Sequence, residues 1–194
     1  MKRAVFLHGT SGNPDDHWWP WLKARFEKSG YEVWAPVLPD NDRPNAETYR
    51  KFLMSSEWTF RNNILVGHSS GATSVLNLLA RDDFPEIKAA VLVGTFLNEN
   101  LTKNSTEFDD SDQFINLFPK DGFDWQAIKN KSEKFYFIHG DDDPYCSYAD
   151  AAEACKIVEG EMITVKDGGH LSASFGVVEL PQLTDLLERD RVLS

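Results

Sequence analysis

Six short apolar runs punctuate the chain, at residues 4–7, 32–35, 64–66, 89–93, 135–138 and 162–165. Each is bounded by polar or turn-forming residues, and their near-continuous apolar character is that of strands buried on both faces. Between them, residues 18–28, 46–53, 72–81, 148–158 and 179–188 carry apolar positions at helical spacing. Strand and helix alternate from end to end. That order predicts an α/β protein: one doubly wound domain whose mostly parallel sheet of about six strands is covered by helices on both faces. No repeat, low-complexity tract or linker divides the chain, and 194 residues suit a single core. The pattern breaks at residues 95–124, where periodicity is weak and Phe96, Phe108, Phe114, Leu117, Phe118 and Phe123 cluster. A loop of that length in a compact domain is usually functional or poorly ordered. A small lid or pocket wall is expected there alongside ordinary core filling, with Phe96 and Phe118 as candidate substrate contacts.

The third apolar run breaks into Gly67-His68-Ser69-Ser70-Gly71. A G-x-S-x-G string arises by chance in roughly one in twenty chains of this length, so its setting decides its meaning. Asn63-Ile64-Leu65-Val66 precedes it as a buried-strand run, and Val75, Leu76, Leu78 and Leu79 follow as a helical apolar stripe. Strand, glycine-flanked serine and helix form the turn that lifts a nucleophilic hydroxyl above a sheet edge. The helix that follows aims its positive N-terminal end at the reaction centre. Ser69 is therefore the candidate nucleophile.

A serine hydroxyl needs a base within hydrogen-bond reach. In open α/β sheets, functional groups gather at the carboxyl ends of strands. The fifth run ends in His139-Gly140-Asp141-Asp142-Asp143-Pro144, and the sixth is followed by Lys166-Asp167-Gly168-Gly169-His170. The chain order Ser, Asp, His matches that of α/β-hydrolases. His170 is the expected base. His8 and His139 end strands beside a glycine, where an imidazole braces a loop. His68, one residue from the nucleophile at a sharp turn, is expected to point elsewhere, and His17 sits on an acidic loop. Among the three aspartates Asp143 is preferred to Asp142, because Pro144 stiffens the turn that aims it. Asp141 is expected to cap or face solvent. Adjacent carboxylates point in different directions and lack calcium-loop spacing, so no metal is expected. An oxyanion hole needs two backbone N–H groups. Ser70 supplies one by position, and the loop after the first run supplies the other, with Thr10 the best candidate and His8 and Gly9 flanking the substrate.

Gly67-His68-Ser69-Ser70-Gly71-Ala72, Asp142-Asp143-Pro144 and Gly169-His170 together resemble the small, lid-poor serine hydrolases grouped with retinoblastoma-binding protein nine and its bacterial relatives. Length, motif spacing and the tryptophan-rich segment Trp18, Trp19, Trp21 fit across essentially the whole chain. The resemblance implies a compact α/β-hydrolase fold, a triad of Ser69, Asp143 and His170, and action on small activated esters. Two departures matter. The L-x-C-x-E string for which the mammalian member is named is absent, so its pocket-protein partner is not carried over. Tyr145-Cys146-Ser147 stands where the family has a hydrophobic-proline pair, which puts the local pocket shape in question.

Charge and cysteine content narrow the partners. A formal net charge of -11 repels phosphate backbones and anionic lipid, so neither nucleic acid nor membrane is an expected partner. The substrate is expected to be a small acyl compound, with no nucleotide, flavin or metal cofactor. No apolar stretch is long enough to span a bilayer, the start lacks a secretory segment, and two cysteines make no disulfide framework. A reducing cytoplasm is the default. Two rival readings stand beside ester hydrolysis: a binding protein on a hydrolase scaffold, recognisable by an exposed apolar patch built from Trp58, Phe60 and residues 108–118, and a small serine aminopeptidase.

Overall fold

The computed structural model describes residues 1–98, 114 and 116–193. Six strands, β1 (Lys2–Leu7), β2 (Tyr31–Trp34), β3 (Ile64–His68), β4 (Ala89–Val93), β5 (Phe135–Gly140) and β6 (Glu161–Val165), form one sheet in the order β2-β1-β3-β4-β5-β6. Every pairing is parallel. Helices α1 (Trp19–Lys28), α2 (Ala46–Met54), α3 (Ser70–Leu79), α4 (Trp125–Lys129), α5 (Tyr148–Ile157) and α6 (Pro181–Arg189) connect or flank the strands.

The two-residue period of each strand sends its side chains into two separate cores. In β1, Ala4 and Phe6 join Trp19, Leu22 and Phe26 of α1 and Leu183, Leu186 and Leu187 of α6 on one face. Val5 and Leu7 join α2, α3 and α5 on the other, through Leu53, Leu76 and Ala154 among others. The sheet is thus a middle layer with helices on both sides, the α/β-hydrolase arrangement expected from the sequence.

Local chemistry sets the helix ends. Asn45 caps α2 by accepting from the Glu47 and Thr48 N–H groups, and Ser147 caps α5 through Asp150. Pro181 opens α6, where its missing N–H costs nothing. Helix α3 starts two residues earlier than its apolar stripe implied, because the chain enters it directly from the serine turn. The five-residue α4 is too short to show a period, and it lies just past the weakly patterned stretch. Of that stretch, residues 99–113 and 115, including Phe108, lie outside the described residues.

Strand order places the site. The sequence leaves β1 for β2 on one side, then crosses back to β3 on the other, so β1 and β3 are neighbours at the switch point where α/β sheets bind ligands. Leu7 pairs with Gly67, which brings the loop after β1 against the turn after β3. The approach is so close that a Cβ on Gly71 would sit 2.1 Å from the Leu7 carbonyl oxygen. Gly71→Ala is therefore expected to cost more than about 3 kcal/mol. Gly30→Ala, at φ +79° with open space around it, is expected to cost only about 1–2 kcal/mol of backbone strain. Urea melts of both variants check the contrast; equal losses would show that the Leu7–Gly71 contact is not tight.

Candidate active site

Ser69 occupies the turn between β3 and α3 with φ +56° and ψ −126°, a region few non-glycine residues enter. Its own backbone holds it there: the Ser69 N–H donates to the Val93 carbonyl at 2.8 Å, and its carbonyl accepts from Ala72 at 2.9 Å. The first residue of α3, Ser70, is fully buried, and its hydroxyl accepts from Thr10 Oγ1 at 3.0 Å, tying the β1 loop to the turn. Among the described residues neither the Thr10 nor the Ser70 N–H has a hydrogen-bond acceptor. Both donors are available to a ligand, as an oxyanion hole requires.

The structure brings Asp143 and His170 together. Asp143 Oδ2 accepts from His170 Nδ1 at 2.8 Å, and its other oxygen accepts from the Tyr145 and Cys146 N–H groups at 2.9 and 3.0 Å. Burial pushes the carboxyl up, but the hydrogen bond and charge of His170 and those two backbone donors outweigh it and hold the group below its ordinary value. The other two aspartates have a shared second task. Asp142 Oδ1 accepts from Gly169 N–H at 2.7 Å and Asp141 Oδ1 from Asp167 N–H at 2.8 Å, so all three grip the loop that carries His170. Behind the pair, Gly94 adopts φ +52°, and a Cβ there would press on the His170 ring at 3.2 Å.

Other histidines crowd the site more closely than spacing suggested. His68 is fully buried, its ring centroid 4.9 Å from that of His170, and its Nε2–H donates to the His170 carbonyl at 2.8 Å. Among the described residues its Nδ1 is buried without a partner, and burial, with His170 nearby, drives its pKa well down, so the ring is a neutral brace. His8 braces as expected: Nδ1–H donates to Gly9 O at 2.8 Å and Nε2 accepts from Leu38 N–H at 2.9 Å. His139 donates to Gly140 O at 3.0 Å. His17, assigned by sequence to an acidic loop, instead reaches the site: its Nδ1 accepts from Ala173 N–H and its ring meets His68 edge-on at 5.7 Å. Trp18 adds Nε1–H donation to Leu171 O at 2.8 Å. The His170 loop is thus clamped from three sides. A run of Asp-His-Trp-Trp ahead of a helix was the signal available for this clamp, and it was legible only as composition.

Cys146 lies under the Asp143–His170 pair, buried, its Sγ 3.3 Å from Gly94 O and 3.9 Å from His170 Nδ1. Burial and the Asp143 charge raise the thiol's pKa far above normal. Ligand atoms of Asp143, Cys146 and His170 lie within 4.8 Å of one another. A metal there would need a thiolate and a free Nδ1, whereas the thiol is held protonated and Nδ1 is bonded to Asp143. The set is fitted to hold protons.

A cavity of about 190 Å³ opens on Ser69 and His170 and is lined also by His8, Gly9, Thr10, Phe96 and Tyr145. Phe96 stands edge-on to His170 at 5.8 Å and stacks on Phe114. Phe118 is half-buried and does not line it. A larger cavity of about 280 Å³ lies between α2 and α3, away from the triad, and its Arg50 and Arg81 are already paired with Glu47 and Asp83. The apolar patch that a binding protein would show is not built by the two residues named for it: Phe60 is buried, and Trp58 packs on Trp34 beneath Arg3.

A neutral buried histidine leaves a pH signature. The folded pKa of His68 lies below that of the unfolded chain, about 6.5. As pH falls through 6.5 the unfolded chain takes the proton first, so stability present above that pH is lost below it, at up to about 1.4 kcal/mol per pH unit. His68→Gln removes one such group. Denaturant melts between pH 7.5 and 5.5 are expected to show a shallower fall in the variant; parallel slopes would mean His68 is charged in the fold.

The family model for serine hydrolases matches residues 4–189. YdeN of Bacillus subtilis (strain 168) is 24% identical over 188 residues, covering 96% of this chain and 94% of that protein. Its crystal structure superposes with a TM-score of 0.82 over 97% of this chain and 98% of the other. Serine hydrolase RBBP9 of Rattus norvegicus is 19% identical over 171 residues, 87% of this chain and 86% of that protein. The esterase domain of a Rhodothermus marinus protein shares the fold with a TM-score of 0.65 at 18% identity, covering 97% of this chain and 87% of that domain. The chain belongs to the serine hydrolase family, among proteins of the YdeN and RBBP9 type.

Proposed function

We propose that the protein hydrolyses small carboxylic esters through a Ser69–His170–Asp143 triad and an acyl-enzyme. The observation that carries this reading is the Asp143–His170 hydrogen bond beside a strained, glycine-flanked Ser69 on one cavity. His170 takes the Ser69 proton on Nε2 as Oγ bonds to the ester carbonyl carbon, and the carbonyl electron pair moves onto oxygen. The Thr10 and Ser70 N–H groups receive that oxyanion. Asp143 keeps the Nδ1–H tautomer and stabilises the imidazolium. Collapse expels the alcohol, which takes the proton from His170, and water repeats the sequence to release the acid. Among the described residues Ser69 Oγ makes no hydrogen bond, and such base–nucleophile contacts commonly tighten only when substrate arrives. The esterase domain from Rhodothermus marinus, with its shared fold, supports the ester class by analogy. The small cavity favours short acyl groups; thioesters and activated amides fall within the same chemistry.

A fluorophosphonate probe tests the nucleophile. Stoichiometric labelling at Ser69, mapped by mass spectrometry and lost in Ser69→Ala, is expected, with turnover of 4-nitrophenyl esters down by about 10⁴–10⁶. A folded wild type that resists the probe would overturn the mechanism and favour a binding role.

The acid is tested by a matched pair. Asp143→Asn is expected to lower kcat by about 10⁴ through the wrong imidazole tautomer. Asp142→Asn keeps the oxygen that holds Gly169 and is expected to stay within about tenfold of wild type. A reversed order would transfer the role to Asp142.

A further inference from the structure

The cavity also carries hydrogen-bond donors that the proposed triad mechanism leaves unused. Asn13 and His17 both line the cavity that holds Ser69. Asn13 Oδ1 accepts from the Asp15 N–H at 2.8 Å, which fixes the amide's orientation and makes Nδ2 the free end. No acceptor meets Nδ2 among the described residues. His17 Nδ1 accepts from the Ala173 N–H at 3.1 Å. A backbone N–H can only donate, so the neutral ring carries its proton on Nε2, where again no partner is found among the described residues. Burial first, and then the neighbouring His170, lower the His17 pKa, with Asp16 opposing, which favours that neutral ring.

A third donor stands beside them. Ser172 and Ser174 share one hydrogen bond at 2.7 Å, which uses one hydroxyl proton and leaves the other. Both serines line the same cavity. The backbone at this wall is held in costly conformations: His17 at φ +53° and Leu171 at φ +51° are both non-glycine residues. Such strain persists where the surroundings over-determine a geometry, and it clusters at ligand sites. Among the described residues no lysine or arginine lines the cavity, whereas Asp16 is bonded to the Asn13 N–H. Without a cation and with a carboxylate close by, an anionic ligand group is disfavoured. A neutral acceptor is not.

We infer that Asn13 and His17 are specificity-determining residues that bind a second, neutral oxygen on the substrate, an ether, hydroxyl or carbonyl oxygen carried a few atoms from the scissile ester. The protein then prefers small oxygen-bearing esters to all-carbon ones of equal size. Asn13 and His17 are half-buried, and a bound ligand closes them off further, so an analogue lacking the oxygen covers these donors without pairing them and is discriminated against. The inference rests on the ester-hydrolase reading for its kinetic readout but not for its binding readout.

The test compares 4-nitrophenyl 3-methoxypropanoate with 4-nitrophenyl pentanoate, chains of equal length that differ by O for CH₂. The kcat/KM ratio is normalised to that of hydroxide hydrolysis, which removes intrinsic reactivity. Wild type is expected to favour the methoxy ester by about tenfold or more, chiefly through KM. Asn13→Asp keeps the oxygen that accepts from Asp15 and loses the donor; His17→Phe keeps ring bulk and loses Nε2–H. Each is expected to lower the normalised ratio about tenfold. An unchanged ratio in both variants would overturn the inference. If wild type hydrolyses neither ester, the ester-hydrolase reading fails, and binding decides the inference alone: 3-methoxypropanamide and pentanamide, inert neutral amides, are titrated by NMR. Tighter binding of the methoxy amide, lost in both variants, supports the donor wall; equal affinities overturn it.

Discussion

A single residue, Ser69, takes the chain from a buried strand straight into a helix, and the site follows from what that reversal demands. The turn is possible only because Gly71 lets the helix pass the Leu7 carbonyl at a distance no Cβ could share. That contact locks α3 against the end of β1. It therefore sets the position of the 8–12 loop, the Thr10 N–H and the Thr10–Ser70 hydroxyl bond as well as the serine itself. The positive φ of Ser69 is strain that the β3–β4 pairing, through the Ser69–Val93 bond, holds in place. The candidate nucleophile and the Thr10 and Ser70 N–H groups are thus placed by one steric constraint, of which the five-residue string carries Ser69 and Ser70 and the loop after the first strand carries Thr10.

The electrostatics of the site rest on a division among its histidines. Five imidazoles stand within or beside the loops that carry Ser69, Asp143 and His170, and of these His8, His68 and His139 are buried and held neutral by desolvation. Each uses a ring nitrogen on a backbone carbonyl, His68 on that of His170 itself. Among the described residues only His170 has a carboxylate oxygen 2.8 Å from Nδ1. Positive charge that develops on a ring is therefore stabilised at one place. The neutral neighbours supply shape and hydrogen bonds without competing for the proton, and the protonated Cys146 thiol beneath them is neutral as well.

Much of this was legible in the sequence, for reasons that differ by element. The strands of a parallel sheet are continuous apolar runs, so β3, β4 and β5 stood out within a residue or two. The serine turn and the order of Ser, Asp and His carry their chemistry in local spacing. What spacing could not carry was convergence: His17, Trp18, His68 and Cys146 meet around His170 only because β1, β3, β5 and β6 end at the same edge. Asp143 was separable from Asp142 by Pro144 alone. The use of Asp141 and Asp142 to hold residues 167–169 was invisible, since it depends on β5 and β6 being paired. Phe118 drew notice by its type, yet its place in the chain beside Leu117 leaves it off the cavity wall.

The same topology separates chemistry from selection. Ser69, Asp143 and His170 hang from strand ends whose register is fixed by the sheet, so their mutual geometry tolerates little variation. Asn13, His17, Ser172 and Ser174 belong to loops fastened to each other, by the His17–Ala173 and Trp18–Leu171 bonds, rather than to the strands. Substitutions on that wall can change which ligand groups find partners while the triad stays where β3, β5 and β6 put it. A fold built this way can keep the mutual geometry of Ser69, Asp143 and His170 and vary what binds beside them through two loops. Those loops bring Asn13, His17, Ser172 and Ser174 to the 190 Å³ cavity, which Trp19, Phe96 and Tyr145 also line. In the proposed reaction, donors confined to those two loops would orient a small ester on Ser69 before attack, an entropic contribution to the rate that an apolar pocket of equal size could not supply.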